Sequence, residues 1–399
     1  MKIGILTFHS QLNYGGVLQC WALKKALEDM GYEVVVIDRW IDPKNASLNG
    51  PLGMFSAKTW FGIIVKSLFG CGQWRQVLRH WRTRRVVRNL GLTAYHFYDW
   101  KDAPQDLGVD LVVVGSDQVW HGGNWAYPTP DPYLLNGTEG RIPRAIAYAA
   151  SFGMKALSTD GDFVAGFRNF EAISVREKEG VDLVRQTGYK GEVVHVVDPT
   201  LLLEPESWTK LVPAKRASGK RVLTCYFLSQ DLNRAIPELE SWAKRTGWYV
   251  NVLCDSFVRP FPRSVRQLKE CLVDILKGLK PSRVRISSGY GPREFVQAFA
   301  EAEATITDSF HAVMFSAIYK CNCRFLKPTL ESRKAMFARI EEFSQKTIDG
   351  PFLVEDLRGA LDSISQGDAC QYDGKVIEVD RRFSREWLRR AIGAESLSK

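Results

Sequence analysis

From Pro43 to Tyr98 this chain has no acidic residue at all, while nine Lys and Arg side chains stand there. Those nine equal the net charge of the whole 399-residue chain, +9 at pH 7. The basic character is therefore local, and local charge is what an anionic partner feels. Long apolar runs are missing too. None approaches the ~20 residues of a membrane span. The longest suspicious stretch, Trp60 to Phe69, is interrupted by Lys66. Met1-Lys2 leads straight into a strand pattern, so no secretory leader is expected. The eight cysteines are scattered, and Cys321-Asn322-Cys323 has no second pair at metal-finger spacing. They are expected to be reduced, mostly buried thiols, with no metal site. No internal repeat or low-complexity segment occurs. These absences leave a cytoplasmic globular protein, too long for one ordinary core and suited to two α/β domains.

Lys2 to Phe8 reads as an apolar strand, followed by a polar loop with two glycines and a helical pattern from Val17 to Met30. Gly31 stops that helix, and Glu33 to Asp38 is the next strand. This is a βαβ unit, so a parallel sheet is expected. Further strands are read at Leu111–Val114, Ala145–Tyr148, Ala172–Val175 and Val193–Val197. The pattern changes near Asp198-Pro199-Thr200, and a fresh series begins at Arg221 to Leu228. Tyr249–Cys254, Ala304–Thr307 and Cys323–Leu326 continue it. The predicted division is a first domain over 1–205 with a basic helical insertion at about 43–98, and a second domain over 206–372. A charged amphipathic helix in 373–399 is expected to pack back across both. Open α/β sheets bind ligands at the carboxyl ends of their strands.

Four segments fit that rule. In Asn13-Tyr14-Gly15-Gly16, glycines just before a helix let backbone N–H groups approach an anion. This loop is neither GxGxxG nor a Walker loop, and a plain tight turn is the alternative. In Val114-Gly115-Ser116-Asp117-Gln118-Val119-Trp120, an apolar strand runs into hydrogen-bonding groups, or into a Ser or Asp that caps a helix. Arg176 follows the strand ending at Val175, where a guanidinium could grip a carboxylate or phosphate. Pairing with a nearby acid is its alternative. The fourth segment is Thr307-Asp308-Ser309-Phe310-His311, between a strand and a very apolar helix. A histidine there could give or take a proton near neutral pH, with Ser309 and the helix terminus holding an anion beside it. A satisfied core histidine is the alternative. His9 is a possible second loop contact; the remaining histidines are read as structural or surface.

Taken in order, these segments resemble the polysaccharide pyruvyl transferase family. The likeness runs through Asn13-Tyr14-Gly15-Gly16-Val17-Leu18-Gln19, Gly115-Ser116-Asp117-Gln118-Val119-Trp120, Ser174-Val175-Arg176-Glu177, Asp198-Pro199-Thr200 and Asp308-Ser309-Phe310-His311. The resemblance implies two Rossmann-like domains with parallel sheets in a glycosyltransferase-B-like arrangement. It implies transfer of the pyruvyl group of phosphoenolpyruvate to two hydroxyls of a sugar, as a cyclic ketal, in making surface polysaccharide such as capsule or exopolysaccharide. His311 matches the family's catalytic histidine, and Arg176 its donor-holding arginine. Ser309, Ser116, Asp117, Asn13, Gly15 and Gly16 are the further donor-binding candidates. Phosphoenolpyruvate is a co-substrate; no metal or other cofactor is implied. The chain departs from the family at Ala312, where glycine is usual, and at His121, where asparagine is usual.

The basic segment mixes Trp60, Trp74 and Trp81 with its cations. Such a surface could rest on anionic lipid, which would suit an acceptor carried on a polyprenyl diphosphate. The alternative is a basic helix packed on the first domain. No nucleic-acid partner is expected, because no base-reading motif accompanies the charge. Two rival functions stay open: a nucleotide-sugar glycosyltransferase of the same architecture, and a glycan- or lipid-binding relative without turnover.

Overall fold

The computed structural model describes residues 1–9, 13–39, 73–121, 131–138, 140–153, 161–212, 219–254, 282–327 and 334–393. The Trp60–Phe69 run, Cys71, Cys271 and most of a second stretch rich in Lys and Arg, from Arg259 to Arg285, lie outside these residues. The other six cysteines are buried thiols.

The chain divides into two compact units. The first comprises Met1–Asn49, Arg85–Ser207 and Asp373–Lys399, and the second Gly50–Arg84 and Trp208–Tyr372.

In the first unit, seven strands form one sheet: β1 (Lys2–Leu6), β2 (Glu33–Arg39), β3 (Leu92–Phe97), β4 (Leu111–Val114), β5 (Ala145–Ala150), β6 (Ala172–Val175) and β7 (Glu192–His195). Their order is β3-β2-β1-β4-β5-β6-β7, with every pairing parallel. Continuous apolar runs such as Leu-Val-Val-Val in β4 suit strands buried on both faces, and all four residues are buried. Helix α1 (Tyr14–Asp29) makes the first crossover; Asn13 caps it, its Oδ1 accepting from Gly15 N at 2.9 Å.

The region read as a basic helical insertion holds helix α2 (Gln73–Arg88) and then the edge strand β3. Its last part is thus sheet: alternating half-buried side chains pair Leu92, His96 and Phe97 with β2. The strand's weak alternation is masked in the sequence by the arginines before it. Helix α2 does not simply pack on the first domain. Its residues up to Arg84 group with the second unit, where Arg82 Nη1 donates to Gly289 O at 2.7 Å and Nε stands 3.3 Å from Glu294.

The C-terminal helix, Gly374–Ile392, groups with the first unit. Trp387 Nε1 donates to Glu192 at 3.0 Å, Ser384 Oγ accepts from Val197 N, and Arg381 Nε donates to Leu201 O.

The second unit repeats the plan. Strands β8 (Val222–Tyr226), β9 (Tyr249–Leu253), β10 (Val284–Ser287), β11 (Ala304–Thr307) and β12 (Asn322–Leu326) lie in one sheet. The two-residue strand Leu353–Val354 completes it beside β12. The order β10-β9-β8-β11-β12 is again parallel throughout. In both sheets the strand order therefore reverses beside the first strand, between β1 and β4 and between β8 and β11. Such a switch point opens a crevice at the carboxyl ends of the strands.

Candidate functional site

At the first switch point, β1 runs into Thr7, Phe8 and His9, and β4 into Gly115, Ser116 and Asp117. Thr7 Oγ1 donates to Ser116 O at 2.7 Å and accepts from Gln19 Nε2 of α1 at 2.9 Å, tying both tips to the helix. His9 is buried and pinned, with Nδ1 3.1 Å from Thr7 O and Nε2 3.1 Å from Asp38 Oδ1.

No helix follows β4 directly, so neither Ser116 nor Asp117 is a cap. Asp117 instead takes a left-handed conformation, φ 80°, steadied by its own Oδ1 accepting from Gln118 N at 2.9 Å. Gly16 makes room for it: a Cβ there would lie 3.2 Å from Asp117 Oδ2. Asp117 Oδ2 is buried and has no hydrogen-bond partner among the described residues. Val119-Trp120 belongs to the core, where Trp120 packs on Phe152, Phe167 and Phe170.

Arg176 leaves the tip of β6 and is buried. Its Nη1 donates to Asp198 Oδ2 at 3.1 Å and to Ser116 Oγ at 3.4 Å, and its Nε to Glu177 Oε1 at 3.4 Å. Ser116 Oγ also meets Asp198 Oδ2 at 3.3 Å, and Asp198 Oδ1 accepts from Thr200 N and Oγ1. Burial alone would lower the Arg176 pKa, but Glu177, Asp198 and Asp117 outweigh it and hold the pKa above its ordinary value. Ser116, Arg176 and the Asp198-Pro199-Thr200 segment are thus brought together, chiefly with one another. For Arg176 the nearby-acid alternative is the geometry found.

At the second switch point Asp308 stitches two strand tips. Its Oδ1 accepts from Leu228 N at 2.6 Å and its Oδ2 from Ser229 N at 2.8 Å and from the Ser229 hydroxyl. Thr307 Oγ1 donates to Tyr226 O at 2.6 Å. Helix α3, Phe310–Ile318 in chain position, begins here and is almost wholly buried, as its apolar sequence predicts. Ser309 occupies its N-cap, yet its hydroxyl caps no backbone group. His311, half-buried on the first turn, stands edge-on to the Phe310 ring at 5.5 Å. Ala312 is fully buried, so its methyl group is part of the packing.

Two arginines escaped the sequence reading. Arg339, buried in the helix Lys334–Thr347, places its guanidinium 5.2 Å over the ring of Phe310, the residue before His311. Nothing in its local sequence marks it. Arg39 ends β2, 5% exposed, with its guanidinium 5.0 Å over the Tyr133 ring. The strand-tip rule that singled out Arg176 would have found Arg39 as well.

Two parallel sheets in Rossmann strand order, each with polar groups gathered at its switch point, define a glycosyltransferase-B-like fold class. Solved structures agree. A putative UDP-N-acetylglucosamine 2-epimerase from Listeria monocytogenes is 10% identical, with 98% of this chain and 96% of that chain covered and a TM-score of 0.52. The UDP-GlcNAc 2-epimerase from Neisseria meningitidis, bound to UDP-GlcNAc, is 9% identical over 99% and 100%, with a TM-score of 0.50. At such identities the likeness is one of fold alone. A comparison with curated proteins gives no match. The model of the polysaccharide pyruvyl transferase family matches residues 13–328, and the chain belongs to that family.

Proposed function

We propose that the protein transfers the pyruvyl group of phosphoenolpyruvate to two hydroxyls of a sugar in surface-polysaccharide synthesis. The observation that carries this reading is Ser309 at the N-cap and His311 on the first turn of a buried helix at a strand tip, in a chain of this family. In the reaction a proton adds to the methylene carbon of phosphoenolpyruvate, which becomes the methyl group. The first sugar oxygen bonds to the neighbouring carbon and loses its proton. Phosphate then leaves that carbon, and the second sugar oxygen closes the ketal, losing its proton in turn.

His311 is the general acid and base in this proposal, because one imidazole can deliver the first proton and remove the others. Ser309 Oγ and the amide end of the buried helix hold the anionic donor. Arg339, over the Phe310 ring, adds positive charge at the start of that helix. Arg176 and Ser116, engaged with Asp198, act as positioning residues that fix the strand tips of the first unit.

Incubation with phosphoenolpyruvate and a panel of sugars carried on polyprenyl diphosphate, read by mass spectrometry, tests the reading. The expected outcome is a pyruvylated sugar with release of phosphate, and a loss of about 10²–10⁴-fold in His311→Ala. A His311→Ala protein with near-parental ketal formation removes the assignment. Tight binding of a nucleotide sugar, with none of phosphoenolpyruvate, replaces it with a glycosyltransferase.

A further inference from the structure

The first switch point contains two buried charges with unpartnered polar atoms, Arg39 and Asp117, and neither touches a reacting group in the mechanism above, although Asp117 also contributes to the charge around Arg176. Arg39 is 5% exposed, and its Nε and Nη1 have no hydrogen-bond partner among the described residues. Asp117 is 7% exposed, with Oδ2 equally unpartnered. Asp117 Oδ1 accepts from Gln118 N, but buried donors and acceptors left without a partner, as Oδ2 and the two Arg39 nitrogens are, destabilise the fold that holds them. The two do not relieve one another by an ion pair. Both lie around Tyr133: burial raises its hydroxyl pKa, Arg39 lowers it through its charge and a side-chain hydrogen bond, and Asp117 raises it, so the Tyr133 hydroxyl meets only part of the Arg39 donor capacity. Phe8 closes the Tyr133 ring edge-on at 5.1 Å.

The chemistry of the pair is specific. A guanidinium only donates, and it prefers an anionic acceptor that takes two parallel bonds. An ionised carboxylate only accepts, and it prefers an O–H donor. A simple anion would satisfy Arg39 and be repelled by Asp117; a neutral sugar would satisfy Asp117 and leave Arg39 unpaired. A ligand with both an anionic group and hydroxyls satisfies both. Two backbone features keep the pair in place. Gly16 admits the Asp117 carboxylate against α1, and the left-handed turn at Asp117 aims it there.

We propose that the β1/β4 switch point of the first unit is a binding site for a sugar bearing a carboxylate or phosphate, with Arg39 holding the anion and Asp117 accepting from a hydroxyl. This takes Asp117 out of the donor-binding set, since a carboxylate is a poor host for phosphoenolpyruvate. Its role as acceptor site rests on the function proposed above; the binding itself does not.

Calorimetric titration of the full chain with glucose 1-phosphate, glucuronic acid, inorganic phosphate and glucose tests it without any transfer reaction. At least one anionic sugar should bind about tenfold tighter than both inorganic phosphate and glucose. Which of them binds separates a phosphate from a carboxylate source. Arg39→Gln and Asp117→Asn should each weaken that sugar about tenfold, and phosphoenolpyruvate not at all. If one variant fails to fold, the other and the four-ligand comparison still decide. The proposal is overturned if neither anionic sugar exceeds the two controls, or if folded variants bind it like the parent. It is equally overturned if the variants lose phosphoenolpyruvate instead, which would make this the donor pocket. A chain that binds the anionic sugar but forms no ketal would sink the proposed reaction and leave this site standing.

Discussion

Arg176 and Asp198 are nearly inaccessible side chains, 3% and 0% exposed, so each is the other's compensation. Removing one charge leaves the other buried with less to balance it. Asp198→Asn is therefore expected to lower stability by about 3–5 kcal/mol in chemical denaturation. If instead stability is unchanged and the KM for phosphoenolpyruvate rises, Arg176 is holding donor, and its positioning role is wrong. Asp308 shows why such roles hide in a sequence. It was read as part of a reactive segment, but its carboxylate serves backbone amides at Leu228 and Ser229, about 80 positions away. Local pattern contains no trace of that pairing. His311 was legible because its context is local: a strand tip before it and an apolar helix after it.

Among the elements, strands β4 and β11 were readable to the residue, since a fully buried parallel strand is a short apolar run between polar loops. Edge strand β3 was not, because edge strands alternate weakly and arginines precede it. Helix α2 shows a different pattern: Trp81 is 47% exposed, while Arg79 and His80 are buried. Burial, with Arg84 nearby, lowers the His80 pKa below its ordinary 6.5. At pH below that value the unfolded chain takes up a proton that the folded helix resists. The contribution of His80 is complete above about pH 6.5 and is lost as the pH falls below it. The urea midpoint of the parent should thus fall more between about pH 7 and pH 5 than that of His80→Gln. Equal slopes in the two proteins would show that His80 is not the group responsible.

At the scale of the molecule, the repeated strand order was legible as two βα series, and so was a C-terminal helix that packs back; that it groups with the first unit was not. Amphipathic periodicity tells which face of a helix is buried but not which partner buries it. The geometry names that partner: Glu192, Val197 and Leu201 of the first unit each bond to the helix. Ending the chain after Tyr372 should therefore speed hydrogen exchange in β1 to β7 and leave β8 to β12 near parental rates. Uniform loss of protection would contradict this.

The same helix sets an order of events during synthesis. Domains generally fold as units while the chain emerges. Here the first unit receives its final piece, Asp373 onward, only after all of the second has been made. The ribosome thus releases a finished second unit before the first has its last helix, and the earliest-made sheet, with Arg39 and Asp117 at its crevice, is the last to be completed.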